Sequence, residues 1–192
     1  MIVFKTPRLV IREYEPEDAA FVLDMYSRED VQRYLGQLPL HTLDEASQRI
    51  GRWRKGYAGD PRQGAWAVTL RGTGELLGTV AVKRAWLSRA APLPQDEGAW
   101  RSFQPTISDD WEVGWHLHPH YWGHGYATEA AAGALQRAFA AGIAELIALV
   151  DPANEPSRKV AERLGMRYVG LTDRYNSMEQ AVFRIVLSER LT

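Results

Sequence analysis

The first sixty residues show one strand pattern followed by two helical patterns. Residues 9–14 predict a strand, and Pro16 with the two acidic residues after it predicts the start of a helix. Apolar residues at helical spacing then predict one buried face: Ala19, Val22, Leu23 and Tyr26. A second helix is predicted after Thr42, because Glu45 follows at the spacing of a capping box. Its apolar stripe is Ala46, Ile50, Trp53 and Tyr57.

The central part of the chain changes to a period of two. Trp66, Val68 and Leu70 precede a glycine turn at 72–74, and a second apolar run follows it at 76–82, which predicts a β-hairpin. Residues 111–117 alternate again and predict a strand with Glu112, Gly114 and His116 on its polar face. Between these strands, residues 84–110 show no clear period and predict a long loop or insertion.

The last third of the chain predicts alternating helices and strands. The helices are expected at 126–141 and 154–164, and the strands at 146–150, 167–172 and 181–187. This order requires helices packed on a mixed sheet, partly antiparallel and partly parallel. The fold class is therefore α/β, or α+β by stricter usage, in one domain over residues 1–192.

Composition and charge exclude several classes of function. The formal net charge is −1, and the positive residues are scattered, so no nucleic-acid partner is expected. The chain has no cysteine, which excludes disulfides, a thiol nucleophile and thiolate metal ligands. Its first residues contain no apolar run of signal-peptide or membrane-spanning length, so a cytoplasmic location without a membrane partner is expected.

A glycine-rich turn at residues 122–127 lies between a predicted strand and a predicted helix. Gly123 and Gly125 would let the backbone approach an anion closely, at the positive end of the helix dipole. A cofactor that carries a diphosphate would fit such a turn. An ordinary connection between strand and helix has the same spacing, so the turn alone leaves both interpretations open.

Three segments resemble motifs of the GNAT superfamily of acetyltransferases. They are Thr6-Pro7-Arg8-Leu9-Val10-Ile11-Arg12, the run from His118 to Ala130 that contains Trp122-Gly123-His124-Gly125-Tyr126-Ala127-Thr128-Glu129, and the run from Asn154 to Met166. Glu112-Val113-Gly114 stands where the family has Glu-x-Gly before the glycine turn. The pattern is most similar to the branch that acetylates the N-termini of ribosomal proteins, and it covers nearly the whole chain.

The resemblance implies an acetyl-CoA-dependent N-acetyltransferase with a mostly antiparallel sheet, flanked by helices, and a parallel pair of strands at the cofactor cleft. Acetyl transfer to a primary amine would be direct, without an acyl-enzyme. The implied cofactor-binding residues are Trp115, His116, Leu117, Trp122, Gly123, His124, Gly125, Tyr126, Ala127, Thr128, Asn154 and Ser157. Glu112 would be the base, acting through water, and Ser157 would be the acid that meets the leaving sulfur.

Each implied catalytic role has a structural alternative. Glu112 could instead pair with a nearby arginine, and Asn154 and Ser157 could cap the helix that they begin, which is compatible with a cofactor role. Tyr168 and Tyr175 could act as acids, although tyrosines beside a sheet are more often packing residues. A non-catalytic acyl-CoA-binding or sensor domain is the alternative function, and it would need neither a base nor an acid.

Four histidines, His116, His118, His120 and His124, lie close together in sequence and suggest a metal site. Pro119 interrupts the strand among them, so the four rings are not expected to converge, and no metal is assigned.

The acceptor is expected to be a small-molecule or peptide amine. Asp96, Glu97, Asp109 and Asp110 could form an acidic wall or a solvated loop face, and Trp86 and Trp100 could line the acceptor pocket. The expected assembly is a monomer or a homodimer.

Overall fold

The computed structural model describes residues 1–35, 39–57, 59–88 and 106–187. Its eight strands are β1 (Ile2–Lys5), β2 (Leu9–Arg12), β3 (Gly64–Leu70), β4 (Leu76–Trp86), β5 (Ile107–Leu117), β6 (Glu145–Val150), β7 (Arg167–Thr172) and β8 (Gln180–Val186). Its α-helices are α1 (Ala19–Ser27), α2 (Glu29–Gln32), α3 (Leu43–Tyr57), α4 (Tyr126–Ala140) and α5 (Glu155–Arg163), with 3-10 turns at Pro16–Asp18 and Pro119–Tyr121.

The eight strands form one sheet in the order β1-β2-β3-β4-β5-β6-β8-β7. All neighbouring strands are antiparallel except β5 and β6. This arrangement confirms the predicted mixed, mostly antiparallel sheet with a parallel pair. A parallel pair needs a crossover connection, which α4 supplies between β5 and β6.

Helices cover both faces of the sheet. Successive residues of a strand point to opposite sides, so neighbouring residues contact different helices. On one face, the alternate residues Trp66 and Val68 pack with the alanine-rich side of α4 and with α5. On the other face, Ala67 packs with α1 and α3. Each helix layer therefore has its own core on its own side of the sheet.

Local sequence signals define the helix ends. At the start of α3, the hydroxyl of Thr42 accepts from the backbone N–H of Glu45 at 3.2 Å, and the Glu45 carboxylate accepts from the Thr42 N–H at 3.0 Å. The predicted capping box is thus confirmed. Gly142 and Gly165, which follow α4 and α5, have positive φ angles of 84° and 77°. These are the left-handed positions at which a helix commonly ends in glycine.

The structure contains two elements that the sequence pattern did not predict, and two strands that are longer than predicted. β1 is a four-residue edge strand next to β2, and α2 is a single turn. β4 continues to Trp86 and β5 begins at Ile107, so both ends of the predicted loop at 84–110 are strand. The predictions for Asp96, Glu97 and Trp100 lie outside the described residues.

Candidate active site

The parallel strands β5 and β6 are joined at one register pair only, Glu112 with Ile147. Beyond that pair, residues 113–117 of β5 pair with β4, and residues 148–150 of β6 pair with β8. Within the described residues, the adjoining edges of the two strands are therefore unpaired toward their carboxyl ends. A crevice at the carboxyl ends of parallel strands is where open α/β sheets commonly bind ligands.

The glycine turn lies directly after β5 at the start of α4. Gly123 and Gly125 both have positive φ angles, 79° and 78°, which favour glycine over residues with a Cβ. Gly125 is the N-cap of α4 and gives the helix no side-chain cap. The N–H groups of Tyr126, Ala127 and Thr128 precede the first helical bond, from Glu129 N to Gly125 O at 3.0 Å. These donors point out of the positive end of the helix dipole.

A cavity of about 520 Å³ opens beside this turn. Its walls come from the turn, from the first two turns of α4 and from the end of α5: Gly123, His124, Gly125, Thr128, Glu129, Ala132 and Arg163. Arg163, at the end of α5, adds a positively charged residue to this lining. The cavity thus combines the uncapped helix donors with one arginine and one glutamate in its lining.

Arg8 and Glu129 hold the glycine turn in place. The Glu129 carboxylate accepts from the Thr6 hydroxyl at 2.6 Å, from the Arg8 backbone N–H at 2.8 Å and from Arg8 Nε at 2.6 Å. Arg8 Nη1 also donates to the carbonyl oxygen of His124 at 3.1 Å, and its guanidinium stacks 4.6 Å from the ring centre of Tyr126. Burial opposes ionisation of Glu129, but these hydrogen bonds outweigh it and lower its pKa.

This donor set fits a diphosphate. The uncapped N–H groups of α4 are anion donors, and the space where a Cβ of Gly123 would lie has no other atom within 4 Å. A Cβ on Gly125 would lie 3.5 Å from Arg8 Nη2, so a second cation is next to the turn. The diphosphate of acetyl-CoA would be held by Gly123, Gly125 and the first turn of α4.

The predicted pantetheine-binding strand is the carboxyl half of β5, Trp115 to Leu117. These residues have β4 on one side and the unpaired edge on the other. The indole Nε1 of Trp122 donates to the carbonyl oxygen of Leu117 at 2.7 Å, although the Trp122 side chain is 48% exposed. The indole thereby fixes the end of the strand relative to the glycine turn.

Glu112 forms an ion pair, but with a lysine and not with an arginine. Its Oε2 lies 2.6 Å from Nζ of Lys83, the residue opposite it on β4. Its Oε1 hydrogen-bonds to no described residue and lies 4.0 Å from the position of a Cβ on Gly114. One carboxylate oxygen is thus held in place, and the other lies over the strand on the face of the sheet toward α1 and α3.

Asn154 and Ser157 lie after β6, at the same edge of the sheet as the glycine turn. The Oδ1 of Asn154 accepts from the backbone N–H of Ser157 at 3.1 Å, so Asn154 is a side-chain N-cap of α5. The Ser157 hydroxyl is partly buried and hydrogen-bonds to no described residue. Asn154 therefore has the capping role that its position predicts, while the Ser157 hydroxyl is available to a ligand.

The two tyrosines considered as acids have different environments. Tyr168 is 50% exposed and packs its ring against Phe183. Tyr175 is buried, and its hydroxyl donates to Asp110 at 2.7 Å. Burial and the bond to Asp110 raise the pKa of Tyr175 to about 12, which makes it a poor proton donor at neutral pH.

The other residues considered for the acceptor side also have partners. Asp110 lies 3.4 Å from Arg174, and the backbone carbonyl of Asp109 accepts from Arg84. Lys83 Nζ lies 4.7 Å from the ring centre of Trp86, so this tryptophan is next to the Glu112 ion pair.

The four histidines have separate partners. Nδ1 of His116 contacts the Tyr26 hydroxyl at 3.1 Å, Nε2 of His118 contacts Asp24 at 3.0 Å, and Nδ1 of His124 contacts the carbonyl of Trp122 at 2.8 Å. The ring of His120 packs on that of His118. Among the described residues, no group of three or more histidine, aspartate or glutamate side chains could hold a metal ion.

Three residues of the site were not assigned a role from the sequence: Arg8, Glu129 and Arg163. Arg8 and Glu129 lie within the quoted motifs, but they are 121 residues apart, and only the fold brings them together. The signal of such a contact was that these two separate motifs contain residues of opposite charge. Arg163 gave no signal, because a basic residue in the last turn of a helix is common.

Known proteins are similar to this chain in sequence. A family model described as acetyltransferase (GNAT) domain matches residues 8–167. The uncharacterized N-acetyltransferase YoaA of Bacillus subtilis (strain 168) is 25% identical over 175 residues, which is 90% of this chain and 87% of that protein.

Solved structures are similar in fold. RimJ of Mycobacterium smegmatis, in complex with CoA-disulfide, has a TM-score of 0.71 at 19% identity, covering 94% of this chain and 83% of its own. RimL, a ribosomal L7/L12 alpha-N-protein acetyltransferase, has a TM-score of 0.69 at 13% identity, covering 97% and 94%. No helix in the described ranges is long and apolar enough to cross a membrane.

Proposed function

This chain belongs to the GNAT acetyltransferase family and is an acetyl-CoA-dependent acyltransferase, and we propose that it transfers the acetyl group directly to a primary amine. The proposed acceptor is a peptide N-terminus or a small-molecule amine. The domain is proposed to span residues 1–192, with the segment between β4 and β5 as an insertion.

The observation that carries this proposal is the uncapped start of α4 beside the cavity. A helix that leaves its first N–H groups without a side-chain acceptor, next to two arginines, favours an anionic ligand. The unpaired edges of β5 and β6 continue from this turn toward Glu112. Cofactor and base are thus proposed to lie along one crevice.

Acetyl-CoA would supply an acetyl group activated as a thioester. Oε1 of Glu112, through a water molecule, would take one proton from the acceptor ammonium, leaving a neutral amine as nucleophile. The neutral nitrogen would then form the C–N bond as the C–S bond breaks. One of its two remaining protons would pass through the Ser157 hydroxyl to the leaving thiolate, which gives the amide and CoA. Asn154 would hold the pantetheine arm through its amide Nδ2, since its Oδ1 caps α5.

The class of acceptor is proposed from the fold neighbours and from the charges around Glu112. The structure of RimL is that of a protein that acetylates an alpha-amino group, which supports a peptide N-terminus as the acceptor. Lys83 neutralises part of the carboxylate charge, so the site does not favour polycationic amines over a single amino group.

Calorimetry followed by a transfer assay tests the proposal. Wild-type protein is expected to bind acetyl-CoA and to release CoA when a peptide with a free N-terminus is added. Glu112→Gln is expected to bind acetyl-CoA as the wild type does and to turn over about 100-fold more slowly. Glu145→Gln removes the charge from another ion pair of the same sheet, Glu145 with Arg184, and should leave turnover unchanged.

Two results would contradict the proposal. Absence of acetyl-CoA binding would remove the enzymatic function and leave a shared fold. Wild-type turnover by Glu112→Gln would remove Glu112 as the base.

A further inference from the structure

The face of β5 that carries Glu112 also carries His116, whose side chain has no part in the proposed transfer. The two residues flank Gly114 at equal distance along the strand, on the side of the sheet toward α1 and α3. Gly114 and His116 are partly exposed, although β5 lies in the middle of the eight-stranded sheet. A small group lying over Gly114 would have one polar side chain on each side.

The His116 ring is the end of a chain of buried hydrogen bonds. Its Nδ1 lies 3.1 Å from the hydroxyl of Tyr26, which lies 2.9 Å from Oγ1 of Thr79. That oxygen lies 2.7 Å from the hydroxyl of Tyr14, which donates to the carbonyl oxygen of Gly78 at 3.0 Å. Four hydrogen bonds thus connect the ring to a backbone carbonyl.

The carbonyl fixes the direction of every bond in the chain, because a carbonyl can only accept and each hydroxyl has one proton. Tyr14 uses its proton on Gly78, so Thr79 donates to Tyr14, and Tyr26 donates to Thr79. The Tyr26 oxygen can then only accept from His116. A neutral His116 therefore carries its proton on Nδ1 and a lone pair on Nε2.

The surroundings keep this imidazole neutral. Burial, together with the positive charges of Arg49 on α3 and Lys83 on β4, lowers the pKa of His116 to about 4. Burial also raises the pKa of Tyr26, so the phenol on α1 stays protonated. Glu112, the acidic group on the same face of β5, is paired with Lys83. At neutral pH His116 is thus an acceptor of hydrogen bonds at Nε2, and that atom bonds to no described residue.

We propose that the two N–H groups of a neutral primary amine lying over Gly114 are bound by Nε2 of His116 and, through the intervening water molecule, by Oε1 of Glu112. The inference rests on the proposed function, since it concerns the acceptor side of the same site. With both N–H groups held, the lone pair of the nitrogen is free to attack. A secondary amine has one N–H group and leaves one of the two acceptors unpaired, so the pair selects primary amines.

The first test reads the tautomer by ¹⁵N NMR of the labelled full-length protein at pH 7, with His116→Asn to assign the signal. We expect a protonated Nδ1 and an unprotonated Nε2 whose chemical shift changes when the tripeptide amide Ser-Ala-Ala is added. In Tyr26→Phe, Nδ1 loses its acceptor, and a share of the ring should move its proton to Nε2. A protonated Nε2 in the wild type, or no change with the tripeptide, would overturn the proposal.

The second test uses His116→Asn in the transfer assay. Asparagine keeps an N–H donor where Nδ1 contacts Tyr26 and removes Nε2, so the fold and the dissociation constant of acetyl-CoA should be unchanged. We expect kcat/KM for Ser-Ala-Ala amide to fall about tenfold. The preference over the N-methylated tripeptide should fall as well. Wild-type values of both quantities would overturn the proposal.

Tyr26→Phe keeps the proposal testable if His116→Asn does not fold, because this variant retains the imidazole and changes only its tautomer. It should lower the same kcat/KM without contact with the substrate. Failure of the proposed function has a different signature, since it is the absence of acetyl-CoA binding by the wild type, which neither the tautomer nor the tripeptide shift requires.

Discussion

The two helices that follow the parallel strands begin in opposite ways. α5 follows Asn154, whose side chain accepts the N–H of Ser157, while α4 follows Gly125, which gives no side-chain cap. Both helices start at the same edge of the sheet and have similar dipoles. The cavity lies beside the uncapped helix. The comparison teaches that only the start of α4 leaves its N–H groups without a side-chain acceptor, which is why we propose that the ligand supplies the acceptor there.

The largest effect is expected from filling the uncapped turn. Gly125→Trp places a side chain in the cavity mouth and strains a backbone with a φ of 78°, so the dissociation constant of acetyl-CoA should rise more than about 100-fold. Gly142→Trp is the matched control, because Gly142 has a similar φ of 84° at the other end of α4. Calorimetry should show wild-type affinity for the control. Equal loss in both variants would mean that backbone strain alone is responsible.

A smaller effect is expected from loosening the turn without filling it. Arg8→Ala removes the side-chain contacts with Glu129 and with the carbonyl of His124, so acetyl-CoA affinity should fall about tenfold. Arg12→Ala breaks another arginine–carboxylate pair, with Asp18 at 2.7 Å, which lies at the other end of β2, away from the turn. It should lower the melting temperature and leave the affinity unchanged. If Arg12→Ala weakened binding as strongly, Arg8 would act through general stability.

Substitutions at the start of α5 should change stability and turnover independently of each other. Asn154→Ala removes the N-cap of α5 and should cost about 1 kcal/mol in the free energy of unfolding, which Asn154→Asp should largely retain. Ser157→Ala removes a hydroxyl that has no partner among the described residues, so stability should be unchanged while kcat falls. Urea denaturation and the transfer assay measure the two quantities. Loss of stability in Ser157→Ala would show that its hydroxyl is structural.

The smallest effect is expected in the pH dependence of stability, through the ion pair of Glu129 with Arg8 beside the start of α4. The pKa of Glu129 is lowered in the folded protein, so its contribution to stability is complete above the unfolded value of about 4.3 and is lost as the pH falls through the native value. Between about pH 5 and pH 3, wild-type protein should lose more unfolding free energy than Glu129→Gln, by up to about 1 kcal/mol. Parallel slopes for the two proteins would contradict this role.

Most of the fold follows from local patterns in the sequence. The capping box of α3, the hairpin of β3 and β4, and the glycines that end α4 and α5 each depend on residues close together in the chain. β1 was not predicted, because a four-residue edge strand has too few positions to show a period. The ends of β4 and β5 were missed because residues around Trp86 and Ile107 follow no simple alternation.

The site is less visible in the sequence than the fold. The motifs place Gly123, Gly125 and Asn154 at helix starts, which the structure confirms. The contacts of Arg8 with Glu129 and of Glu112 with Lys83 join residues far apart in the chain, and no local pattern encodes them. The tautomer inferred for His116 depends on Tyr14, Tyr26, Gly78 and Thr79, which belong to three other segments of the chain.

The single register pair between β5 and β6 determines which backbone amides of β5 are open to exchange with solvent. Several register pairs join each two neighbouring strands from β1 to β5 and again from β6 through β8 to β7, but one pair joins the two halves of the sheet. Amide protons along the unpaired edge of β5 should therefore exchange with deuterium sooner than those shared with β4, and a bound ligand arm should slow them. The cofactor would then accept and donate the backbone hydrogen bonds that β5 and β6 do not make to each other.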